Sequence, residues 1–146
     1  MNTDIEELFV NKYIVKQKRE RILFELRKPS KRIDALSRFC HNYDTYLDER
    51  KIVKRGKKIT DKELKEIVEK YGNKNKGFMI CWDKRYDLME MTADTAISII
   101  RNDGMCALFI SGDVCIISTE QIQGPKEIVI LCSVYSVSYT HLRAHE

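Results

Sequence analysis

Residues 105–119 have the sequence MCALFISGDVCIIST, and this stretch decides the fold class. Two apolar runs, at about 105–110 and 114–119, flank the short segment Ser111-Gly-Asp. Apolar runs of strand length on either side of such a segment predict a β-hairpin, with Gly112 first in its turn. Because neither run alternates between apolar and polar residues, we expect a sheet that is covered on both faces or paired at its edges.

Two further strands are predicted, at about 78–82 and 127–132. The first is the apolar run Phe78-Met-Ile-Cys-Trp82, which follows a loop rich in asparagine, lysine and glycine. The second follows Gly124-Pro125, a pair of residues that interrupts regular structure. Runs of this length between such boundaries are typical of buried strands.

Four helices are predicted from apolar residues spaced three and four apart, at about 4–27, 31–41, 61–71 and 93–102. The third begins most clearly, because Thr60-Asp-Lys-Glu63 matches a capping box, and Gly72 marks its end. Ser30 and Thr92 are suited to cap the second and fourth helices.

The first predicted helix contains a conflict. A straight helix over 4–27 places Lys12, Lys16 and Arg19 inside its apolar arc. Because three uncompensated cations in a core are costly, we expect the helix to break near 15–18.

Together these elements predict an α+β fold, in which a helical N-terminal half packs on a mostly antiparallel β-α-β-β-β sheet. The chain has 146 residues, which suffice for one domain with its own core. With 43% hydrophobic and 33% charged residues, the composition is that of a folded globular protein. We therefore predict a single domain over 1–135.

The cysteines and the N-terminus favour a cytoplasmic location. No apolar run reaches the roughly 18 residues that a membrane helix needs, and the acidic N-terminus has no apolar signal core. Four of the five cysteines lie in apolar runs, and no Cys-x-x-Cys pair occurs. This pattern indicates buried thiols in a reducing compartment, and neither a disulfide framework nor a zinc site.

The last ten residues, VSYTHLRAHE at 137–146, differ abruptly from the apolar segment before them. They closely resemble a peptide found at the ends of many unrelated metagenomic proteins, which looks like a translated sequencing adapter. The resemblance implies that 136–146 form a non-native tail and that the natural chain ended or continued differently somewhere after Ser133, so that the given sequence is truncated. His141 and His145, whose spacing otherwise suggests half of a metal site, then have no role. We also expect an exposed edge at the final strand.

Positive charge is concentrated in the N-terminal half. Residues 1–75 hold 20 Lys and Arg against 13 Asp and Glu, whereas 76–146 hold 6 against 9. Such a half can bind phosphates or an acidic partner. Glu20 and Glu25 interrupt the basic run, and neither a nucleic-acid-binding motif nor an aromatic ladder is present. The candidate binding residues are Lys16, Lys18, Arg19, Arg21, Lys31 and Arg32.

Catalytic and metal-binding patterns are weak. Cys40 and His41 are adjacent, but neighbours in a helix diverge by about 100°, which disfavours a Cys–His nucleophilic pair. An acidic cluster between the first predicted strand and the last predicted helix contains Lys84 and Arg85, so turn and cap roles explain it better than a cation site. Its members are Asp83, Asp87, Glu90 and Asp94. We expect no cofactor and no metal.

The segment at 18–26, KRERILFEL, together with Arg38-Phe-Cys-His41, resembles small bacterial proteins without an assigned activity. The composition, rich in Lys, Ile and Asn, is also similar to that of bacterial proteins with low genomic GC content. We therefore expect a non-enzymatic bacterial protein-interaction module, of an accessory or immunity type, with an unidentified protein partner and no membrane. The alternatives are a nucleic-acid-binding module that uses the basic helices and an enzyme that uses His41 with Cys40.

Overall fold

The computed structural model describes residues 4–102, 106–119 and 127–134, apart from the side chain of Cys40. The expected tail at 136–146 lies outside these ranges. Six helices are present in the described part: α1 (Ile5–Tyr13), α2 (Arg19–Arg27), α3 (Pro29–His41), α4 (Tyr43–Tyr46), α5 (Asp61–Tyr71) and α6 (Ala93–Asn102). The strands are β1 (Ile52–Gly56), β2 (Gly77–Cys81), β3 (Glu90–Met91), β4 (Ala107–Ser111), β5 (Val114–Ser118) and β6 (Ile128–Cys132).

The strands form one antiparallel sheet with the order β1-β6-β5-β4-β2-β3. Its centre is the predicted hairpin, in which Ser111 pairs with Val114 and Ala107 with Ser118. Gly112 has a φ of 54°, a left-handed conformation that glycine adopts at little steric cost. The α+β fold and the antiparallel sheet are confirmed.

Both faces of the sheet are covered by helices. On β4, Leu108 and Ile110 contact α1–α3, whereas Ala107 and Phe109 contact α5 and α6. The same alternation continues along β5 and β6, and their residues from 114 to 118 and from 128 to 132 are all buried. We call α1–α3 the first helical layer and α5–α6 the second. The apolar character of consecutive strand residues follows from this arrangement.

The break in the first predicted helix is confirmed. α1 ends at Tyr13, a short 3-10 turn occupies 16–18, and α2 begins at Arg19. Between the two helices Ile14 forms an isolated bridge with Leu47, so the chain is briefly extended. Lys12, in the last turn of α1, reaches the β4–β5 turn, where its ammonium donates to the carbonyl of Gly112 at 3.0 Å.

The two helices of the second layer begin and end as predicted. The hydroxyl of Thr60 accepts from the amide of Glu63 at 3.2 Å, and that of Thr92 accepts from the amide of Thr95 at 3.2 Å. Gly72 ends α5 as predicted, with a φ of −119° that does not itself require glycine. A Cβ at Gly72 would lie 2.6 Å from the carbonyl oxygen of Ser111, and this close approach explains the glycine.

Several details differ from the sequence predictions, and the predicted β-α-β-β-β order is only roughly matched, because β1 precedes α5 and β3 lies between β2 and α6. α3 begins at Pro29, two residues early, since proline suits the first helical turn, and Ser30 is not its cap. β1 lies between the second and third predicted helices, where we predicted no strand, because its exposed cations hide the strand pattern. β6 pairs with both β1 and β5, so the expected exposed edge at the final strand is wrong.

The cysteines agree only in part with the expected thiols. Cys81, Cys115 and Cys132 are buried thiols, as predicted. Cys106 is also buried but is disulfide-bonded, which the sequence did not predict. Disulfides are rare in cytosolic proteins, so this bond opposes the expected reducing compartment.

Candidate partner-binding surface

The candidate residues at the junction of α1 and α2 are partly engaged within the fold. The ammonium of Lys18 lies 5.0 Å from the centroid of the Tyr46 ring, a cation–π distance. Nε of Arg19 donates to the carbonyl of Ile14 at 2.9 Å and so closes the end of α1. Lys16 is exposed and contacts no carboxylate of the described residues.

Arg21 lies on the outer side of α2, beside a buried carboxylate. Its Nε is 3.6 Å from Glu25, whose side chain is only 4% exposed, while Arg21 itself is 79% exposed. The guanidinium of Arg38 also hydrogen-bonds to Glu25. Because Arg38 already supplies a cation to Glu25, most of the Arg21 side chain remains available to solvent.

Arg32 is bound within the fold by hydrogen bonds and ion pairs. Its guanidinium donates to both carboxylate oxygens of Asp87, at 2.8 and 3.0 Å, to the carbonyl of Leu26 at 2.8 Å, and to Glu6. The three charged side chains are 14 to 19% exposed. Although burial opposes the charge, these hydrogen bonds and carboxylates raise the pKa of Arg32. The contacts connect α1, α2 and α3 to the loop after β2, whereas Lys31, the neighbouring residue, is exposed.

Most arginines of the described ranges are paired with carboxylates. Eight of the nine arginines in the described ranges contact a carboxylate, and the ninth, Arg19, contacts a backbone carbonyl. Several lysines are paired as well, for example Lys54 with Glu63 at 2.6 Å. The fold therefore does not gather the candidate residues into one continuous basic face.

The four carboxylates of the acidic cluster each lie near a different cation of the fold. Asp83 accepts from Arg85 at 2.7 Å, and this hydrogen bond is the main cause of its lowered pKa. Asp87 is bound by Arg32, and Glu90 and Asp94 lie 4.0 and 3.4 Å from lysines. Among the described residues no group of three His, Cys, Asp or Glu side chains is arranged to hold a metal ion.

The buried nucleophilic groups lie in surroundings that suppress their ionisation. Burial raises the pKa of the Cys115 thiol, and it also raises the pKa of Tyr13, whose side chain is inaccessible to solvent. A thiol in such surroundings is a poor nucleophile, since the thiolate is the reactive form. His41 is exposed at the end of α3, and its relation to the side chain of Cys40 lies outside the described part of the chain.

The structure reveals an apolar surface that the sequence analysis missed. Phe24 on α2 is 57% exposed and lines an open groove of about 580 Å³ together with Leu23 and Pro29. Glu20, Arg27 and Lys28 complete the groove. The signal was present in the sequence, because Phe24 falls outside the apolar arc that contains Ile22 and Leu26. A large aromatic residue outside that arc points to solvent.

No family model, no curated protein and no solved structure matches this chain. Within the described ranges, no helix has the length and apolar character that crossing a membrane requires.

Proposed function

We propose that this chain is a non-enzymatic protein-interaction module, an accessory or immunity-type factor of a bacterium, which binds its partner through the α2–α3 face. The observation that carries the proposal is the exposure of Phe24 at the mouth of the groove. Aromatic residues are enriched among those that dominate binding energy at protein interfaces. An exposed phenylalanine beside a groove is therefore a suitable anchor.

The apolar centre extends from α2 to α3. Pro29 lines the groove, and Ile33, one helical turn further along α3, is 54% exposed. Residues four apart lie on the same face of a helix, so Ile33 continues the apolar surface that begins at Phe24 and Pro29. This arrangement supports contact with an apolar side chain of a partner.

The rim of this centre is mostly basic. The ammonium of Lys28 lies 5.6 Å from the Phe24 ring centroid, and Lys31 and Arg21 are exposed on the adjoining turns. Arg27 is bound by Asp4 and Glu7, and the exposed Glu20 also lines the groove, so Arg21, Lys28 and Lys31 outnumber the one carboxylate of the groove. The partner that fits is a protein surface with an apolar centre and an acidic rim, because complementary charges accelerate association and select the partner.

The pairing of arginines with carboxylates favours this proposal over nucleic-acid binding. Affinity for nucleic acids depends on cations that neutralise phosphates, and Arg32 and Arg19 are already engaged internally.

The cytoplasmic location stays part of the proposal. The three buried thiols support it, and the disulfide at Cys106 opposes it.

The test begins with peptides selected from a random display library on the wild-type chain and then synthesised. Their affinities are measured by fluorescence anisotropy for wild type, Phe24→Ala and Met89→Ala. Met89 is a matched control, since it is an exposed apolar residue at 49% in the loop before β3. We expect the selected peptides to be acidic with apolar centres. Phe24→Ala should lower their affinity about tenfold or more, and Met89→Ala should change it by no more than about twofold.

Two outcomes would overturn the proposal. One is a set of peptides that bind Phe24→Ala as well as wild type. The other is binding of labelled DNA or RNA that weakens steeply between about 50 and about 200 mM salt. If the nucleic-acid binding is also lost on neutralising Lys16, Lys18, Arg19 and Arg21, the alternative function replaces the proposed one.

A further inference from the structure

β1 forms an open edge of the sheet. It pairs with β6 on one side, and no described strand pairs with its other side. The opposite edge is β3, which has only two residues, whereas β1 has five. An edge strand of this length presents unpaired backbone amides and carbonyls that another extended segment can bind.

The space beside this edge is accessible. Lys54, Arg55, Lys57 and Lys58 are all exposed. A shallow groove of about 380 Å³ follows residues 54–59. An extended segment can therefore approach β1 without displacing a described element.

The charge along the edge is strongly positive. Four cations lie between 54 and 58, and two of them meet carboxylates: Lys54 contacts Glu63 at 2.6 Å and Arg55 contacts Asp44 at 2.7 Å. Lys57 and Lys58 contact no carboxylate of the described residues. The edge retains a positive charge at the end of β1, next to open backbone.

We infer that the outer edge of β1 binds an acidic, extended segment of a partner protein as an additional strand. Backbone hydrogen bonds supply affinity that depends little on sequence, and the cations select acidic side chains. A second copy of this chain is a poor occupant, because pairing two β1 edges would bring their cations together. This surface differs from the Phe24 groove and does not depend on it.

The probe is a blocked synthetic peptide of about seven residues that alternates valine and glutamate. Two matched peptides accompany it: one with lysine in place of glutamate, and one with alternate backbone amides methylated. Methylation removes the hydrogen-bond donors of a strand but keeps the charge. Binding to the ¹⁵N-labelled full chain is followed by amide chemical shifts and by amide hydrogen exchange.

The variants are Lys57→Glu with Lys58→Glu, and a control that combines Lys62→Glu with Lys84→Glu. All four lysines are exposed, and both double variants change the net charge equally. We expect the glutamate peptide to shift and protect amides of β1, with affinity reduced about tenfold by the first variant or by methylation. The affinity of the control variant for the glutamate peptide should stay within about twofold of wild type, and the lysine peptide should not bind.

Several outcomes would overturn the inference: no binding at about 1 mM peptide, equal binding of the methylated peptide, or shifts outside β1. Dimerisation of the chain through β1 in sedimentation experiments would also overturn it, in favour of self-pairing. Phe24→Ala should leave this affinity unchanged. The two proposals can therefore fail independently.

Discussion

The two helical layers are attached to the same sheet by different interactions. In the first layer, charged side chains with little exposure connect the helices, as in Arg32 with Asp87 and Arg38 with Glu25. In the second layer the core contacts are apolar, through residues such as Leu64 and Ala96. Its ion pairs are more exposed: Lys65 and Asp94 are 52% and 79% accessible, and Arg101 and Asp61 are 29% and 55% accessible.

The two layers also differ in how far apart in the sequence their stabilising partners lie. The first layer depends on partners distant in sequence, and Arg32 meets a carboxylate 55 residues away. The ends of the second-layer helices depend on caps within three residues, at Thr60 and Thr92. We therefore expect substitutions to have large effects where buried charges meet and modest effects where local caps act.

The largest effect is expected from Arg32→Ala. The substitution leaves Glu6 and Asp87, both less than 20% exposed, without their cation. Removing one partner of a buried ion pair typically lowers the free energy of unfolding by about 3 kcal/mol. Urea denaturation measures the loss. The matched control Lys65→Ala, in an exposed pair, should cost less than about 0.5 kcal/mol. Equal losses in the two variants would contradict the distinction between the layers.

A smaller effect is expected from Thr60→Ala. The variant removes the hydroxyl that accepts from the amide of Glu63 at the start of α5. Loss of such a cap lowers the free energy of unfolding by about 1 kcal/mol. Thr60→Ser retains the hydroxyl and should restore most of the stability in the same urea measurement. If serine fails to restore it, the methyl group of Thr60 and not the cap is responsible.

The smallest effect concerns Tyr43, beside the first layer. Burial, followed by the hydrogen bond that its hydroxyl donates to Glu127 at 2.8 Å, raises its pKa to about 12 from an ordinary 10.0. A group whose pKa is raised by folding stabilises the fold below its unfolded pKa and loses that contribution as the pH rises. The stability difference between wild type and Tyr43→Phe should therefore fall between pH 10 and 12.

The Tyr43 prediction is checked by urea denaturation of both chains across the alkaline range and by the ultraviolet absorbance of tyrosinate. The difference spectrum between wild type and Tyr43→Phe should show ionisation near pH 12. Ionisation near the ordinary value would mean that neither the burial of Tyr43 nor its hydrogen bond to Glu127 is retained in solution.

The sequence predicted parts of the fold whose causes are local. The hairpin at Gly112 was visible because its turn chemistry and flanking apolar runs lie within 15 residues. β1 was missed because its Lys and Arg side chains do not alternate with apolar ones, and only its pairing with β6 makes it a strand. β3 was missed because two residues carry no periodicity.

The candidate sites depended even more on tertiary structure. Arg32 and Lys31 are neighbours in a basic stretch, yet the carboxylates that bind Arg32 come from α1 and from the loop after β2. The exposure of Phe24 could have been anticipated from helical periodicity, but its groove requires Pro29 on the next helix. The open edge of β1 depends on strand order, which composition does not determine.

The sequence by itself determined the class of this protein: antiparallel strands buried on both faces, and helices with recognisable ends. These features arise from turn, cap and periodicity effects between residues close in the chain. Only the tertiary structure decided that α5 covers the opposite face from α1–α3 and that β1 forms the edge. It also decided which cations are neutralised, because ion pairs between distant residues depend on how the elements pack.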